Sequence, residues 1–316
     1  MYYRHADLAQ AKQFLEDFGM HVAYTENDGK KLYFAGEGPE AYVYIAEQAE
    51  KSEYMGGAFL VESKEDLELA TKLIPGASKL HAAGPAGGYR VTFQDPDGSP
   101  VNLVWGIEET GPNKSSISTP ASNHPLDKPR LGTFVRYDKH APCPVFKLGH
   151  FGLLVTDFQR SYDFFTKHFN IIPSDFLTND AGEKVAAFCR IDRGEEYVDH
   201  HSFFFEVNHI RTGTHHCSFE VQDPDVQAIG HHLLAKKGYN QAWGMGRHIL
   251  GSQMFDYWFT PDDFLLEHYS DSDQVNCHNP PGTLLQCEET IAIYGPSIPK
   301  GFGDAIPVIS GKGPAA

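Results

Sequence analysis

An α+β fold, in which one strand–helix–strands unit recurs along the chain, is what this sequence of 316 residues predicts. Three pairs of matching segments carry the expectation. Ala6 to Leu15 matches Thr156 to Phe165, Ala58 to Val61 matches Ser218 to Val221, and Phe93 to Gly98 matches Phe259 to Asp263. Their order is the same in both halves. A unit of roughly 50 to 60 residues therefore appears four times, two copies per half, and repetition of this kind decides the fold before any single element does.

In the first pair a strand end is followed by a helix opening near an Asp, Asp7 or Asp157, with apolar residues at i, i+3 and i+4. In the second pair the strand leads into a helix, Lys64 to Leu73 in one half and Pro224 to Lys236 in the other. In the third an Asp/Pro turn precedes an apolar strand, Val101 to Trp105 and Phe264 to Tyr269. Compared with the later copies, the chain starts inside its first strand. Glu108 to Pro144 is rich in Pro, Ser, Asn and Lys, has no period, and reads as a linker; Asn279 to Ala316 is rich in Pro and Gly and reads as a tail that wraps the surface or is partly disordered. The expected organisation is a two-unit N-terminal domain over residues 1–107, a linker over 108–145, a C-terminal domain over 146–278 and a tail over 279–316.

Composition narrows the function. With 41% apolar residues the chain is globular in type, and no apolar run reaches the ~18 residues that a membrane helix needs. Met1 to His5 lacks the apolar core of a secretion signal, so the cytoplasm is the expected compartment. The formal charge of -16 disfavours a phosphate-backbone partner. Five cysteines, with no CxxC pair, suggest neither a disulfide framework nor a structural zinc site.

The count that points to chemistry is 17 histidines. Three ligand-type residues occupy strand positions. His150 opens the run to Val155, His216 opens the run to Val221, and Glu267 lies in Phe264 to Tyr269. The first two share the pattern His-x-x-apolar-x-Val, which places both at the start of the same strand in successive repeats. That match selects His216 over His215, because neighbouring strand side chains point to opposite faces. Two imidazoles and one carboxylate on one face leave the other face of an octahedral metal open, which suits non-haem Fe(II) binding substrate and dioxygen side by side. A lone strand His is more often a core residue; three matched repeat positions shift the balance. The first half is a control: the position of His150 would precede Met1, His216 aligns with Gly56, and Glu267 aligns with Asn102.

Leu148 to Phe151, His215 to Phe219, Gly246 to His248, and Tyr257 ten residues before Glu267 resemble the motifs of the type I extradiol ring-cleavage dioxygenases, members of the vicinal oxygen chelate superfamily. The resemblance spans residues 1 to 270, and Ala242 to Gln253 looks closest to the catechol- and trihydroxytoluene-cleaving branch. It implies four βαβββ modules paired into two domains, each a curled mixed sheet around a cleft. It also implies Fe(II), with Mn(II) as a substitute, on His150, His216 and Glu267. Further implied are an active-site acid at His201, or at His200 if the register differs by one, and substrate contacts at His248 and Tyr257. The substrates would be an aromatic diol and O2, the assembly a homo-oligomer. A glyoxalase-like isomerase or thiol transferase is the rival enzyme reading, disfavoured because the first half lacks ligands. A ligand-sequestering protein of the same fold would need no triad.

Overall fold

The computed structural model describes residues 1–110, 121–300 and 302. In the first half, β1 (Tyr2–His5), α1 (Leu8–Asp17), β2 (His21–Glu26), β3 (Lys31–Ala35) and β4 (Tyr44–Gln48) form one module; β5 (Glu53–Leu60), α2 (Lys64–Leu73), β6 (His81–Ala82), β7 (Tyr89–Gln94) and β8 (Pro100–Trp105) form the second. In the second half, the third module is β9 (Val145–Val155), α3 (Phe158–His168), β10 (Ile171–Thr178), β11 (Lys184–Ile191), the two-residue β12 (Val198–Asp199) and β13 (Phe203–Val207). The fourth is β14 (Gly213–Val221), α4 (Pro224–Lys236), β15 (Gln241–His248), β16 (Met254–Phe259) and β17 (Leu265–Ser270). The predicted four-unit α+β architecture is the one observed.

The four module helices start alike. Asp7, Ser63, Asp157 and Asp223 each accept a hydrogen bond from the backbone N–H three residues on, which satisfies a donor the helix itself leaves free. In α1 the spacing of Ala11, Phe14 and Leu15 then puts the apolar stripe on the sheet.

The first half is an eight-stranded sheet of order β2-β3-β4-β1-β5-β8-β7-β6. In the second half β10-β11-β13-β9-β14-β17-β16-β15 repeats this order. Two further strands extend it at the edges, β19 (Gly282–Leu285) beside β10 and β20 (Ala292–Tyr294) beside β15. The short β18 (Gln274–Val275) pairs with β12, and α5 (Glu288–Ile291) joins the two edge strands. Pro and Gly in the tail suggested irregular wrapping; its described part instead supplies sheet edges. The linker's described residues, 108–110 and 121–144, carry no helix or strand, and 111–120 lie outside the described residues, as do 301 and 303–316 of the tail.

The halves pack crosswise. Module one meets module four, with the Phe18 ring stacked on His268 at 3.6 Å and Tyr3 against Phe264 at 4.5 Å. Module two meets module three, with Phe59 against Phe151 and Phe203 at 5.2 and 5.6 Å. Gly57 lies so close that a Cβ there would be 2.5 Å from the Phe151 ring. One buried core runs through all four modules.

Candidate metal centre

The candidate residues sit on the two central strands of the ten-stranded sheet and their neighbours. β9 and β14 are antiparallel, with Ser218 opposite His150, and β14 is parallel to β17, with Ser218 opposite Glu267. His150 and His216 lie in mid-strand, not at a strand start as the sequence suggested. Their Nε2 atoms are 3.2 Å apart and lie 3.2 and 3.3 Å from Oε2 of Glu267. The three donors are buried and lie within 4.8 Å of one another.

Neither Glu267 oxygen accepts a well-formed hydrogen bond, and Nδ1 of His150 also has no partner. A fully buried carboxylate left so is costly unless a cation completes it. Burial opposes its ionisation, yet the His150 and His216 imidazoles hold its carboxyl well below the usual range. Burial in turn pushes His216 down to about 4, against the pull of Glu267, so it offers a neutral lone pair. Two imidazole nitrogens and one carboxylate oxygen, with orphaned polar atoms among them, fit a divalent transition metal.

The first half fills the same place with side chains. Ala58 opposes Asn102 there, as Ser218 opposes Glu267. The Asn102 amide accepts from Thr92 at 2.7 Å and donates to the Met55 carbonyl at 3.2 Å. At Gly56, the match of His216, a Cβ would lie 2.4 Å from the Asn102 amide nitrogen, so no side chain fits.

Above the triad opens a cleft of about 220 Å³. His201 lies in the connection between β12 and β13 rather than in a strand, with its ring 4.2 Å from that of His150. Burial, then the His150 charge, lowers its pKa well below the ordinary value. His200 points away to Asp175, 2.8 Å distant, while its Nδ1 faces Nδ1 of His201 at 3.1 Å. His248 Nδ1 donates to the Ile291 carbonyl at 2.9 Å, which leaves Nε2 to accept from the Tyr257 hydroxyl at 2.9 Å. That fixes the tautomer and ties the tail to the site. Burial, then Glu267, raises the Tyr257 phenol well above its usual range.

The alternation argument for His215 fails locally. The β9–β14 register shifts between Thr214 and Cys217, and His215 lines the cleft beside His216. Its Nδ1 faces Nδ1 of His216 at 2.8 Å, on the ring edge away from Glu267, so it braces that ring. Sequence reasoning missed Phe204, whose ring lies 5.0 Å from that of His216, and Phe302, 5.0 Å from Tyr257. Alternation within Phe203-Phe204-Phe205 would have turned Phe204 to the site face. Nothing in the tail's composition marks Phe302.

The architecture is that of the vicinal oxygen chelate fold as the extradiol dioxygenases carry it. No family model matches the chain. It is similar to metapyrocatechase 2 of Cupriavidus necator, 28% identical over 299 residues, covering 94% of this chain and 88% of that one. A homoprotocatechuate 2,3-dioxygenase from Brevibacterium fuscum, in an anaerobic complex with 3,4-dihydroxyphenylacetate, superposes with a TM-score of 0.78 at 16% identity over 95% of this chain and 89% of that chain. A Mn(II)-bound glyoxalase from Novosphingobium aromaticivorans gives 0.77 at 21% identity, over 97% and 92%.

Proposed function

We propose that this chain is an extradiol dioxygenase that opens the ring of a catechol-type substrate with O2 at one Fe(II), for which Mn(II) can stand in. The observation that carries the reading is a buried carboxylate flanked by two imidazoles at 3.2 and 3.3 Å, at the base of an aromatic-lined cleft. His150, His216 and Glu267 would hold the metal. When bound, it supplies a Lewis-acidic, redox-active centre that lowers the pKa of a chelating hydroxyl and brings the diol and O2 together.

The protein's own groups do the rest. The Tyr257–His248 pair presents a phenol and an imidazole to the substrate oxygens, and the Ile291 carbonyl keeps the imidazole's lone pair turned inward. His201, held neutral by burial, can take a proton from a substrate hydroxyl and return it to an oxygen later in the reaction. Phe188, Phe204, Trp243 and Phe302 exclude water around the ring.

The glyoxalase reading draws support from fold likeness, but His201, His248 and Tyr257 around a single-half site favour ring cleavage. Two expectations complete the proposal, a cytoplasmic location and a homo-oligomeric state. All five cysteines are unpaired, as in a reducing compartment, and Leu60, Leu69 and Leu73 are 68%, 50% and 58% exposed, as at a covered face. The test is anaerobic metal analysis followed by O2 uptake with a panel of catechols. One iron per chain and a yellow ring-opened product are expected. Uptake with no catechol would refute the proposal.

A further inference from the structure

A second group of ligand-type side chains lies on the surface, outside the triad. Among the described residues it is the one other place where three donors gather within 4.8 Å of one another: Glu195, Cys277 and His278, all exposed. Glu195 stands on the loop between β11 and β12, and Cys277 and His278 on the turn after β18. His278 Nε2 is 2.7 Å from Glu195 Oε2. The backbone that carries them is fixed from beneath. Cys277 N–H donates to the Gly194 carbonyl at 3.0 Å, and the buried Asn276 amide donates to the Glu195 carbonyl at 3.1 Å. The guanidinium of Arg190, 3% exposed, donates to the Asn276 and Asn279 carbonyls at 3.1 and 3.2 Å. Two turns far apart in sequence thus hold three donors at one spot on a braced backbone. A CxxC pattern could not have marked such a site.

Partial desolvation, then the Glu195 carboxylate, raise the pKa of the Cys277 thiol, because thiolate and carboxylate repel. A divalent cation reverses that sign. It attracts both anions and takes the place of the thiol proton, which leaves to solvent. One sulfur, one nitrogen and one oxygen donor suit zinc, which accepts all three in tetrahedral array at about 2.0–2.3 Å. At those lengths the donors would lie roughly 3.3–3.6 Å apart. Exposed side chains can close the remaining distance by small rotamer changes on a backbone that stays still. The formal charge of -16 favours the approach of a cation. The sulfur donor, which the triad lacks, favours zinc here over iron.

We propose that Glu195, Cys277 and His278 form a surface zinc site with water in the fourth position. The site is independent of ring cleavage. Zinc there clips the loop after β11 to the turn after β18, and so braces the β12–β18 ribbon that leads into His200 and His201.

The test adds Zn(II) alone to the iron-loaded protein under nitrogen, with iron and zinc measured together after equilibrium dialysis. One zinc per chain beyond the iron is expected, bound more tightly as pH rises because the thiol proton must leave. Co(II) in place of zinc should show a thiolate-to-metal charge-transfer band. Cys277→Ser and His278→Ala should each weaken zinc binding at least about 100-fold, and Cys277→Ser should also remove the band. Both variants should keep the wild-type iron content, which shows that they fold. Zinc that merely replaces the iron would overturn the proposal. So would zinc binding that either variant leaves unchanged, or a cobalt complex without the band.

Discussion

Glu267→Gln separates the two jobs of the buried carboxylate. The change is nearly isosteric, so His150 and His216 keep their places 3.2 and 3.3 Å away, but the charge is gone. In the wild type a metal at a hundredfold excess over its Kd adds about 2.7 kcal/mol. Because one core joins the two halves, the chain of roughly 300 residues melts as a unit; its unfolding entropy is about 0.6 kcal/mol per degree, and loading should raise Tm by about 4 °C. The glutamine variant should lose most of that rise. Its metal-free form should melt no lower than metal-free wild type, because an amide at this site costs less to bury than a carboxylate without full countercharge. Differential scanning calorimetry with and without Fe(II), under nitrogen, reads both numbers. Two results would refute the reasoning: a variant that keeps the full rise, or a metal-free variant that melts well below its wild-type counterpart.

Three further outcomes are expected. His201→Phe should keep iron yet turn over 10²- to 10⁴-fold more slowly; His200→Phe, which removes only the group linking His201 to Asp175, should cost about tenfold. Paired metal analysis and O2 uptake check both. Gly152→Val should drive a side chain into Phe204, whose ring would lie 1.9 Å from a Cβ, and lower stability by about 1–3 kcal/mol while disturbing the His216 side of the cleft; Tm and iron content measure it. Burial pushes the Asp95 carboxyl up to about 6 from an ordinary 3.8. Below pH 4 folded and unfolded states are both protonated there, and between about 4 and 6 only the folded state keeps its proton. Wild type therefore loses stability as pH rises through that window. Asp95→Asn can still accept from the Asp97 and Ser99 N–H groups and should be more stable above pH 6, by up to about 3 kcal/mol, with no advantage below 4. Thermal melts across pH 4 to 8 test this.

Local rules made much of this legible. Asp7, Asp157 and Asp223 announce helix starts because a short acceptor side chain there satisfies free backbone donors, and the recurrence of strand–helix–strand order gave the four modules. The positions of His150, His216 and Glu267 were readable because repeats superpose on their own registers. What alternation could not reveal was the bulge after Thr214, where the register shift brings His215 to the cleft beside His216. Nor could composition reveal strands β19 and β20. Edge strands of three or four residues are held by the backbone of β10 and β15 rather than by side-chain pattern, so Pro and Gly around them masked their role. Trp243 and Phe302 joined the site through contacts between elements far apart in sequence.

The crosswise packing constrains what the chain could become. Its first half has the architecture of a second workshop but is occupied by Asn102 and Thr92, and its lasting duty is to cover the rear of the working sheet, Phe18 on His268 and Phe59 on Phe151. A duplicated copy that had merely lost its chemistry would be free to shrink. This one cannot, because removing it would bare Phe151, Phe203 and Phe219 on β9, β13 and β14. Selection on the first half should therefore act on shape, with freedom at Gly56 and Asn102 limited to side chains no larger than the present ones. The first half is the mould in which the sheet that carries His150, His216 and Glu267 keeps its form.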